Sequence, residues 1–228
     1  MKLINKIKIE TTLTLLSGLH IGDNKDNAEI GSIDNPVIRR KDKDQQPYIP
    51  GSSIKGKMRS LLEQIAGVSE IGGGRKQNLD AKSKECQNIN YAFGFANDDL
   101  PSRLIFRDSY LTGESANELK NSEFTDMPYT EAKSENTINR VTGKADNPRT
   151  QERIPAGAKF IIEVVLNDFN DGKTAEIKNL LLEGFKALNN DYLGGSGTRG
   201  YGHVKIDLPG EEGSSWKEEI IEFDKVFN

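Results

Sequence analysis

The sequence predicts an α+β fold whose core elements follow the order β-α-β-β-α-β, with long insertions between them. Three observations support this prediction. Apolar residues alternate along residues 5–16, two later segments carry apolar stripes at helical spacing, and residues 158–166 form the apolar run of a core strand. With 228 residues, of which 35% are hydrophobic, the chain is long enough to bury one sizeable core.

The first strand and the first helix of this core are separated by a polar insertion. In residues 5–16, Ile7, Ile9 and Leu13 fall on one face, as in a half-buried strand. Residues 18–50 are read as an insertion. Within it, the segments 36–39 and 46–49 flank a turn-like KDKDQ sequence and predict a short hairpin.

Residues 54–66 predict an amphipathic helix. Apolar residues recur there at i, i+4, i+7, i+8 and i+11, and the preceding segment Pro50–Ser53 offers an N-cap. Gly67 is a plausible helix end. Residues 67–100 are read as a second insertion, in which the glycine-rich and charged segment Ile71–Asn90 is expected to form a loop.

The remaining core consists of strands 103–111 and 158–166, helix 174–192 and a final strand over 201–208. Residues 112–154 are polar and lack apolar periodicity, which predicts a third insertion of functional importance. An acidic tail closes the chain. This order is that of the ferredoxin-like split βαβ fold, as in RRM domains, within a single domain covering 1–228.

The charge of the chain is uneven. The net charge is −4, which is unusual for a nucleic-acid-binding protein. Seven acidic and two basic residues give Asp207–Asn228 a net charge of −5, whereas Arg39–Arg59 has seven basic and two acidic residues, a net charge of +5. Because salt screens charges beyond about 8 Å, such local basicity is what attracts a phosphate backbone.

Several classes of protein are excluded by composition. No apolar run approaches the roughly 20 residues that span a bilayer, and charges interrupt the apolar N-terminal segment, so neither a membrane span nor a signal peptide is predicted. Cys86 is the single cysteine, and no Cys/His cluster has zinc-ligand spacing. A cytoplasmic location is therefore expected.

Two glycine-containing segments are candidates for contact with a phosphate backbone. Gly51–Arg59 opens a predicted helix, whose first-turn amides and dipole suit phosphate, and offers Ser52, Ser53, Lys55, Lys57 and Arg59. From spacing alone, an ordinary surface helix start with solvated lysines is the favoured explanation of this segment. Gly194–Gly200 follows a helix and enters a strand, the reverse of a dinucleotide-binding loop, and offers Gly194, Gly195, Gly197 and Arg199.

The remaining candidates are single polar residues in predicted loops. His20 has the side chain that RNA-cleaving enzymes use as acid or base. Asp34 has a carboxylate that suits a divalent cation or a proton from a 2′-hydroxyl, although Asp-Asn-Pro is also a turn-forming sequence. Asn139 and Arg140 lie in the third insertion. Taken alone, each pattern is compatible with an ordinary loop.

Six segments, taken together, resemble the backbone RAMP subunit of the type III-A (Csm) CRISPR interference complexes, the third-numbered Csm protein. They are Leu16–Gly22, Gly31–Arg39, Pro47–Glu63, Glu135–Arg149, Arg153–Phe160 and Gly194–Val204. The resemblance spans most of the chain, in order and with fitting spacing. Residues 70–100 and the acidic tail contribute least to it.

The resemblance implies that copies of the chain stack along a guide RNA, beside other Csm subunits. The candidate residues His20, Ser52, Ser53, Lys55, Lys57, Arg59, Asn139, Arg140, Gly194, Gly195, Gly197 and Arg199 would then contact RNA. The insertion around Glu135–Arg149 would belong to a thumb-like projection that interrupts the guide–target duplex every six nucleotides. Asp34 matches the family's RNA-cleaving aspartate, which implies an endoribonuclease supported by a divalent cation, expected to be Mg²⁺.

Three other functions remain open at this stage. The first is a scaffold subunit that binds RNA without cutting it. The second is a guide-processing RAMP endoribonuclease that uses His20. The third is a ferredoxin-like regulatory domain that binds a small nucleotide at the glycine-rich turn, which leaves the long insertions unexplained.

Overall fold

A computed structural model describes residues 2–23, 35–67, 84–95 and 101–223. In chain order, its strands and helices are β1 Asn5–Leu15, β2 Tyr48–Ile49, α1 Gly51–Ile65, α2 Lys84–Phe93, β3 Leu104–Phe106, β4 Ser109–Leu111, α3 Gly113–Lys120, β5 Glu131–Ile138, β6 Ala145–Arg153, β7 Lys159–Asp168, α4 Thr174–Asn189, β8 Val204–Ile206 and β9 Lys217–Glu222. A 3₁₀ turn covers Gly197–Arg199. None of the helices in the described ranges is both long enough and apolar enough to cross a bilayer.

The centre of the molecule is an antiparallel sheet. Its strands follow the order β2-β4-β7-β1-β8, with β3 also paired to β7 and β9 also paired to β1. β1 and β7 pair from Asn5↔Asp168 to Thr14↔Lys159. The other edge of β1 is shared, since β8 pairs with Leu13–Leu15 and β9 pairs with Asn5–Glu10. The chain is therefore a mixed α/β protein built on antiparallel strands.

The core lies between this sheet and the helices α1, α2 and α4. Alternate residues of β1 are buried, as its period-2 pattern predicts, and β7 buries its own alternate residues against them. α1 contributes Ile54, Met58, Leu61 and Leu62, and α4 contributes Ile177, Leu181, Phe185 and Leu188. Both stripes follow the helical spacing seen in the sequence, because one face of each helix packs on the sheet.

The start of α1 and the interruption of the strand predicted over 103–111 have one cause. The helix begins at Gly51 rather than at residue 54, with Pro50 as the capping residue and no side-chain cap. A side chain at Gly51 would meet the Phe106 carbonyl oxygen at 2.5 Å, so this close approach needs glycine. The strand is broken into β3 and β4 there, because Asp108 turns to accept the Gly51 amide at 2.9 Å.

The described part of the second insertion is helical. The sequence predicted a loop over Ile71–Asn90, yet α2 covers Lys84–Phe93, and that prediction is wrong for residues 84–90. Cys86, Ile89 and Phe93 form a short buried stripe, which packs beside α1 and α4. The stripe is difficult to recognise in the sequence because polar residues surround it. Burial against the other helices stabilises α2. Residues 68–83 and 96–100 lie outside the described residues.

The C-terminal half also differs from its predicted boundaries. The helix predicted over 174–192 ends at Asn189, and the last core strand is limited to Val204–Ile206. The acidic tail contains β9, although the sequence predicted no strand or helix there. Residues 224–228 lie outside the described residues. Residues 112–154 contain α3 and the two-stranded sheet of β5 and β6.

A buried ion pair joins three parts of the fold. The Arg103 side chain is 2% exposed and donates to both carboxylate oxygens of Asp171, with Nη1 2.9 Å from Oδ1. Its guanidinium also lies 5.4 Å from the Tyr91 ring of α2 and 5.1 Å from the Phe169 ring. The pair therefore ties the start of β3 to α2 and to the turn between β7 and α4.

We predict that Asp171→Asn lowers the free energy of unfolding by about 2 kcal/mol at pH 7, because the buried guanidinium loses its charged partner. Hydrogen bonds from Arg103 lower the pKa of Asp171 from 3.8 to about 2. A lowered carboxylate pKa means that the stabilisation is complete above pH 4 and is lost as the pH falls towards 2. Urea unfolding of both proteins at pH 7, 4 and 3 measures the difference. Asp44→Asn, at an exposed position, is the control, and a difference that does not shrink with pH would contradict the assignment.

Candidate functional site

A buried carboxylate organises the region where the candidate residues meet. Glu152, in β6, is 3% exposed. Its Oε1 accepts hydrogen bonds from Arg39 and from Thr130, each at 2.6 Å, and its Oε2 accepts from the Val37 amide at 2.8 Å. Its own amide donates to the Asn35 carbonyl at 3.2 Å. We call these residues, Asn35, Val37, Arg39, Thr130 and Glu152, the Glu152 junction.

His20 is attached to the same junction. Its Nδ1 lies 2.6 Å from the Glu152 carbonyl oxygen. Because a carbonyl only accepts, Nδ1 must carry the proton of this bond, and in neutral imidazole Nε2 then accepts. The His20 carbonyl in turn accepts the Gly195 amide at 2.9 Å. The half-buried imidazole is thus held between β6 and the glycine-rich turn.

The glycine-rich turn is shaped by close backbone approaches. Gly194 has φ +76°, and a side chain there would lie 2.4 Å from the His20 carbonyl oxygen. At Gly197, an added Cβ would meet the Tyr192 ring at 1.9 Å. Ser196 Oγ lies 3.5 Å from Gln151 Oε1 of β6. The glycines therefore let this turn close against His20 and the hairpin, and Arg199 is left exposed beside them.

Among the basic residues of α1, Lys57 contacts the segment that leads into this turn. Lys57 Nζ lies 3.6 Å from the centre of the Tyr192 ring and 3.3 Å from Asp191. Lys55 instead donates to Ser102 at 3.1 Å, and its pKa is lowered by burial first and then by Arg59. Arg59 binds Glu63 and the Gly94 carbonyl. The cations predicted to act together thus divide between two sides of α1.

The helix start predicted to receive phosphate already faces a carboxylate. Ser52 is exposed and Ser53 is half-buried in the first turn of α1, but neither caps the helix. The first-turn amide of Gly51 donates to Asp108. A phosphate at this end would therefore meet a neighbouring negative charge.

A second cluster fixes the base of the β5–β6 hairpin. Glu135 accepts hydrogen bonds from the Tyr201 hydroxyl at 2.7 Å and from Arg149 at 3.1 Å, with Arg199 3.9 Å away. The Tyr201 hydrogen bond, more than the nearby cations, lowers the pKa of Glu135. Burial and Glu135 together raise the pKa of Tyr201 to about 12. The hairpin base is thereby joined to the glycine-rich turn, since Tyr201 follows that turn.

The hairpin tip is exposed and lies away from this cluster. Asn139 Oδ1 accepts the Val141 and Thr142 amides at 2.9 and 3.1 Å, so its side chain shapes the tip. Arg140 is exposed, and Val141 is 95% exposed. Asn139 follows Glu135 by four positions, which correspond to about 13 Å along an extended strand. Asn139 and Arg140 therefore cannot share one small site with His20.

Asp34, the predicted catalytic residue, lies outside the described residues. The structure does describe Asn35, the next residue, which belongs to the Glu152 junction. No group of three or more histidine, cysteine, aspartate or glutamate side chains with metal-binding geometry occurs among the described residues.

The structure brings together His20, Gly194, Gly195, Gly197 and Lys57, and places Arg199 at the edge of this group. Sequence reasoning missed the residues that hold them: Glu152, Gln151, Glu135, Tyr192 and Tyr201. Their one signal in the sequence is that most fall in or beside the segments that carry the family resemblance. The contacts themselves join residues far apart in the chain, such as Tyr201 and Glu135.

We predict that Tyr201→Phe lowers the free energy of unfolding by about 2 kcal/mol at pH 8, because Glu135 loses a charged hydrogen bond in a shielded site. A raised tyrosine pKa means that the stabilisation is complete below pH 10 and is lost as the pH rises towards 12. Urea unfolding of both proteins between pH 8 and 11.5 measures the difference in their free energies of unfolding at each pH. The effects of the other titrating groups cancel in this difference because both proteins contain them. Tyr192→Phe is the control. A constant difference across this range would show that the hydroxyl does not act through Glu135.

Comparison with known proteins places these features in one family. The RAMP superfamily model matches residues 12–205. "CRISPR system Cms endoribonuclease Csm3" of Methanothermobacter thermautotrophicus is 43% identical over 201 residues, covering 83% of this chain and 79% of that protein. The protein of the same name from Mycobacterium tuberculosis is 39% identical over 214 residues, covering 88% and 86%.

Solved structures show the same similarity. A chain of the Csm3–Csm4 subcomplex in the type III-A CRISPR-Cas interference complex is 28% identical, with a TM-score of 0.54 and coverage of 97% of this chain and 92% of that one. A chain of the type III-B Cmr-beta complex bound to cognate target RNA has a TM-score of 0.61 at 15% identity, covering 96% of this chain and 61% of that one, which shows a shared fold. The chain belongs to the RAMP superfamily and, within it, to the family of the Csm3 proteins.

Proposed function

We propose that this chain is a guide-RNA-binding backbone subunit of a type III-A CRISPR interference complex and that it cleaves the complementary target RNA. The observation that carries the proposal is that His20 and Asn35 meet at the backbone of Glu152 and that the glycine-rich turn binds the His20 carbonyl. Three segments of the family resemblance converge there. Relatives about 40% identical are named endoribonucleases, which supports the cleavage step.

We also propose that the core is ferredoxin-like with insertions. The strand order β8-β1-β7-β4 corresponds to the 4-1-3-2 order of a βαββαβ fold in which β4, β7 and β8 act as the second, third and fourth core strands. α1 follows β1 and its loop, and α4 connects β7 to β8. The hairpin β5–β6 then lies between the second and third core strands, where an insertion was expected.

Recognition of RNA by such a subunit does not require a strongly basic protein. Base pairing between guide and target supplies the sequence specificity, so the protein has to hold shape and phosphates. Cationic side chains suited to this task surround the turn: Lys57, Lys133, Arg149 and Arg199. Contacts of several stacked copies along one RNA, together with those of other Csm subunits, add up.

Cleavage is proposed to depend on Asp34, which directly precedes a residue of the Glu152 junction. A carboxylate there would accept the 2′-hydroxyl proton or take part in holding a Mg²⁺ ion, because Mg²⁺ is commonly bound by one or two carboxylates together with substrate phosphates. Such an ion would stabilise charge that develops on the phosphate. The chain's own residues would hold the RNA backbone so that the attacking oxygen lies in line with the scissile bond.

We predict that Asp34→Ala abolishes target cleavage and leaves assembly intact, because it removes only the carboxylate that is proposed to react. The measurement is cleavage of an end-labelled complementary RNA by the complex assembled with guide RNA. In the presence of Mg²⁺, the wild-type complex is expected to give products spaced by six nucleotides, and in EDTA it gives none.

Asp44→Ala serves as the matched control, since Asp44 is an exposed aspartate 3.9 Å from Lys120. It should cleave at the wild-type rate. Cleavage that persists in Asp34→Ala would place the nuclease elsewhere, and target binding without any products from the wild-type complex would leave a non-catalytic scaffold.

The β5–β6 hairpin suits the projection that interrupts the guide–target duplex. Its tip carries the exposed apolar residues Ile138, 65% exposed, and Val141, 95% exposed. Apolar side chains separate stacked bases when they insert between them. The base of the hairpin is fixed by Glu135 and Tyr201, so that the tip has a defined direction.

We predict that replacing residues 139–144 by a two-residue Asn-Gly turn leaves guide binding intact but removes the six-nucleotide periodicity, because the duplex is no longer interrupted at each subunit. Cleavage mapping and probing of unpaired target nucleotides in the assembled complex measure this. Arg140→Ala alone should retain the pattern. Unchanged periodicity after shortening would exclude the tip from this function.

A further inference from the structure

A second surface with the composition of a nucleotide site lies outside the group around His20. It is an open groove of about 500 Å³ between the paired strands β2 and β4 and the segment that follows Val37. Its lining consists of Asp23, Ile38, Arg39, Arg40, Lys41, Asp42, Tyr48, Asp108 and Tyr110. The volume falls within the range that is typical of small-ligand sites, roughly 300 to 1,000 Å³.

Aromatic and guanidinium planes are already arranged in this groove. Tyr48 and Tyr110 are cross-strand partners, with ring centres 6.1 Å apart. The Arg40 guanidinium lies 4.9 Å from the centre of the Tyr110 ring, and Asp42 holds it there through a 2.7 Å ion pair. Tyr110 is nevertheless 45% exposed, although it belongs to a sheet strand. Proteins that bind single-stranded RNA stack bases on such aromatic rings and on arginine planes.

The charges in the groove favour a base over a phosphate. Three basic residues, Arg39, Arg40 and Lys41, are balanced by three acidic ones, Asp23, Asp42 and Asp108. Because the charges of these lining residues sum to zero, they offer no net attraction to a phosphate. Within the described part of the chain, Asp108 accepts a hydrogen bond from the Gly51 amide, and a carboxylate has about four acceptor positions. Its remaining capacity suits the amino group of a base, as in contacts of carboxylates with cytosine.

The groove also adjoins the segment that contains Asp34. Asp23 lines one end, and its amide donates to the Pro36 carbonyl at 3.1 Å. Ile38, on the same wall, donates its amide to the Ile21 carbonyl at 2.8 Å. The described residues on either side of the segment 24–34 therefore lie beside each other at the groove.

We propose that this groove binds one unstacked nucleobase of the RNA, which stacks on Tyr110 and Arg40 and donates a hydrogen bond to Asp108. The inference rests on the proposed RNA-binding function. The residues of this base-binding site, Tyr48, Tyr110, Arg40 and Asp108, are not among the RNA contacts that the sequence predicted.

The test measures the affinity of the full chain for a labelled single-stranded RNA. Fluorescence anisotropy detects the binding at a series of KCl concentrations. Tyr110→Leu is expected to weaken binding about 10-fold at every salt concentration, which is the usual effect of losing one base–aromatic stack. The slope of log affinity against log salt should not change, since no phosphate contact is lost. Tyr110→Phe should bind like the wild type. Arg199→Ala, by contrast, should reduce the slope by about 0.7.

A measurement on the wild-type chain complements the variants. Photocrosslinking to RNA that contains 4-thiouridine, followed by mass spectrometry, should identify cross-links within residues 38–48 or 108–110. The absence of cross-links there would overturn the proposal. So would a Tyr110→Leu variant that keeps its RNA affinity, or one that loses affinity together with a lower salt slope.

Further outcomes distinguish a failure of the base-binding groove from a failure of the proposed RNA-binding function. If Tyr110→Leu leaves RNA affinity unchanged but reduces self-association in sedimentation, the groove is a protein interface and the base-binding proposal is wrong. If the wild-type chain, alone and in the assembled complex, binds no RNA, the proposed function fails and the groove assignment fails with it. RNA binding that is equal in the wild type and in Tyr110→Leu overturns the groove alone.

Discussion

The region of interest depends on one buried carboxylate, that of Glu152. Removing a carboxylate from water costs several kcal/mol unless hydrogen bonds and an opposite charge compensate it. Arg39, Thr130 and the Val37 amide supply this compensation, so two separate segments, around residues 37–39 and at Thr130, must converge on β6 for the fold to be stable. The peptide of the same residue holds Asn35 on one side and His20 on the other. Folding stability and the geometry of the candidate site therefore rest on the same interaction.

The hairpin β5–β6 shows how a rigid base and an exposed tip are combined. At its base, Glu135 binds Tyr201 and Arg149, and Arg153 binds Glu131. Beyond Glu135, the described side chains are largely exposed, and the tip is shaped by its own turn. Few tertiary contacts mean a low local stability, so the tip is free to adapt to a ligand while its direction is set at the base. This separation suits a projection that acts on an RNA duplex held elsewhere on the subunit.

Local patterns predicted the elements whose burial repeats along the chain. The alternation in β1, the apolar run of β7 and the stripes of α1 and α4 are visible because each element packs one regular face on the core. The same reasoning failed where a tertiary contact overrides the pattern. The turn at Arg107–Asp108 exists because Asp108 binds Gly51, and β9 forms from an acidic segment because β1 offers it an edge. α2 was missed because its buried stripe is short and surrounded by polar residues.

By itself, the sequence determined the class of fold, the family, and the segments that carry the candidate residues, because these follow from periodicity and from ordered local motifs. Only the tertiary structure decided which candidates meet. It joined His20 to β6 through Glu152 and to the glycine-rich turn through Gly195, and it separated Lys55 and Arg59 from Lys57 although they are close in the chain. It also revealed Glu135, Tyr201 and the Tyr110 groove. The physical reason is that hydrogen bonds and ion pairs act over a few ångströms in space, whereas sequence spacing reports distance only within one helix or strand.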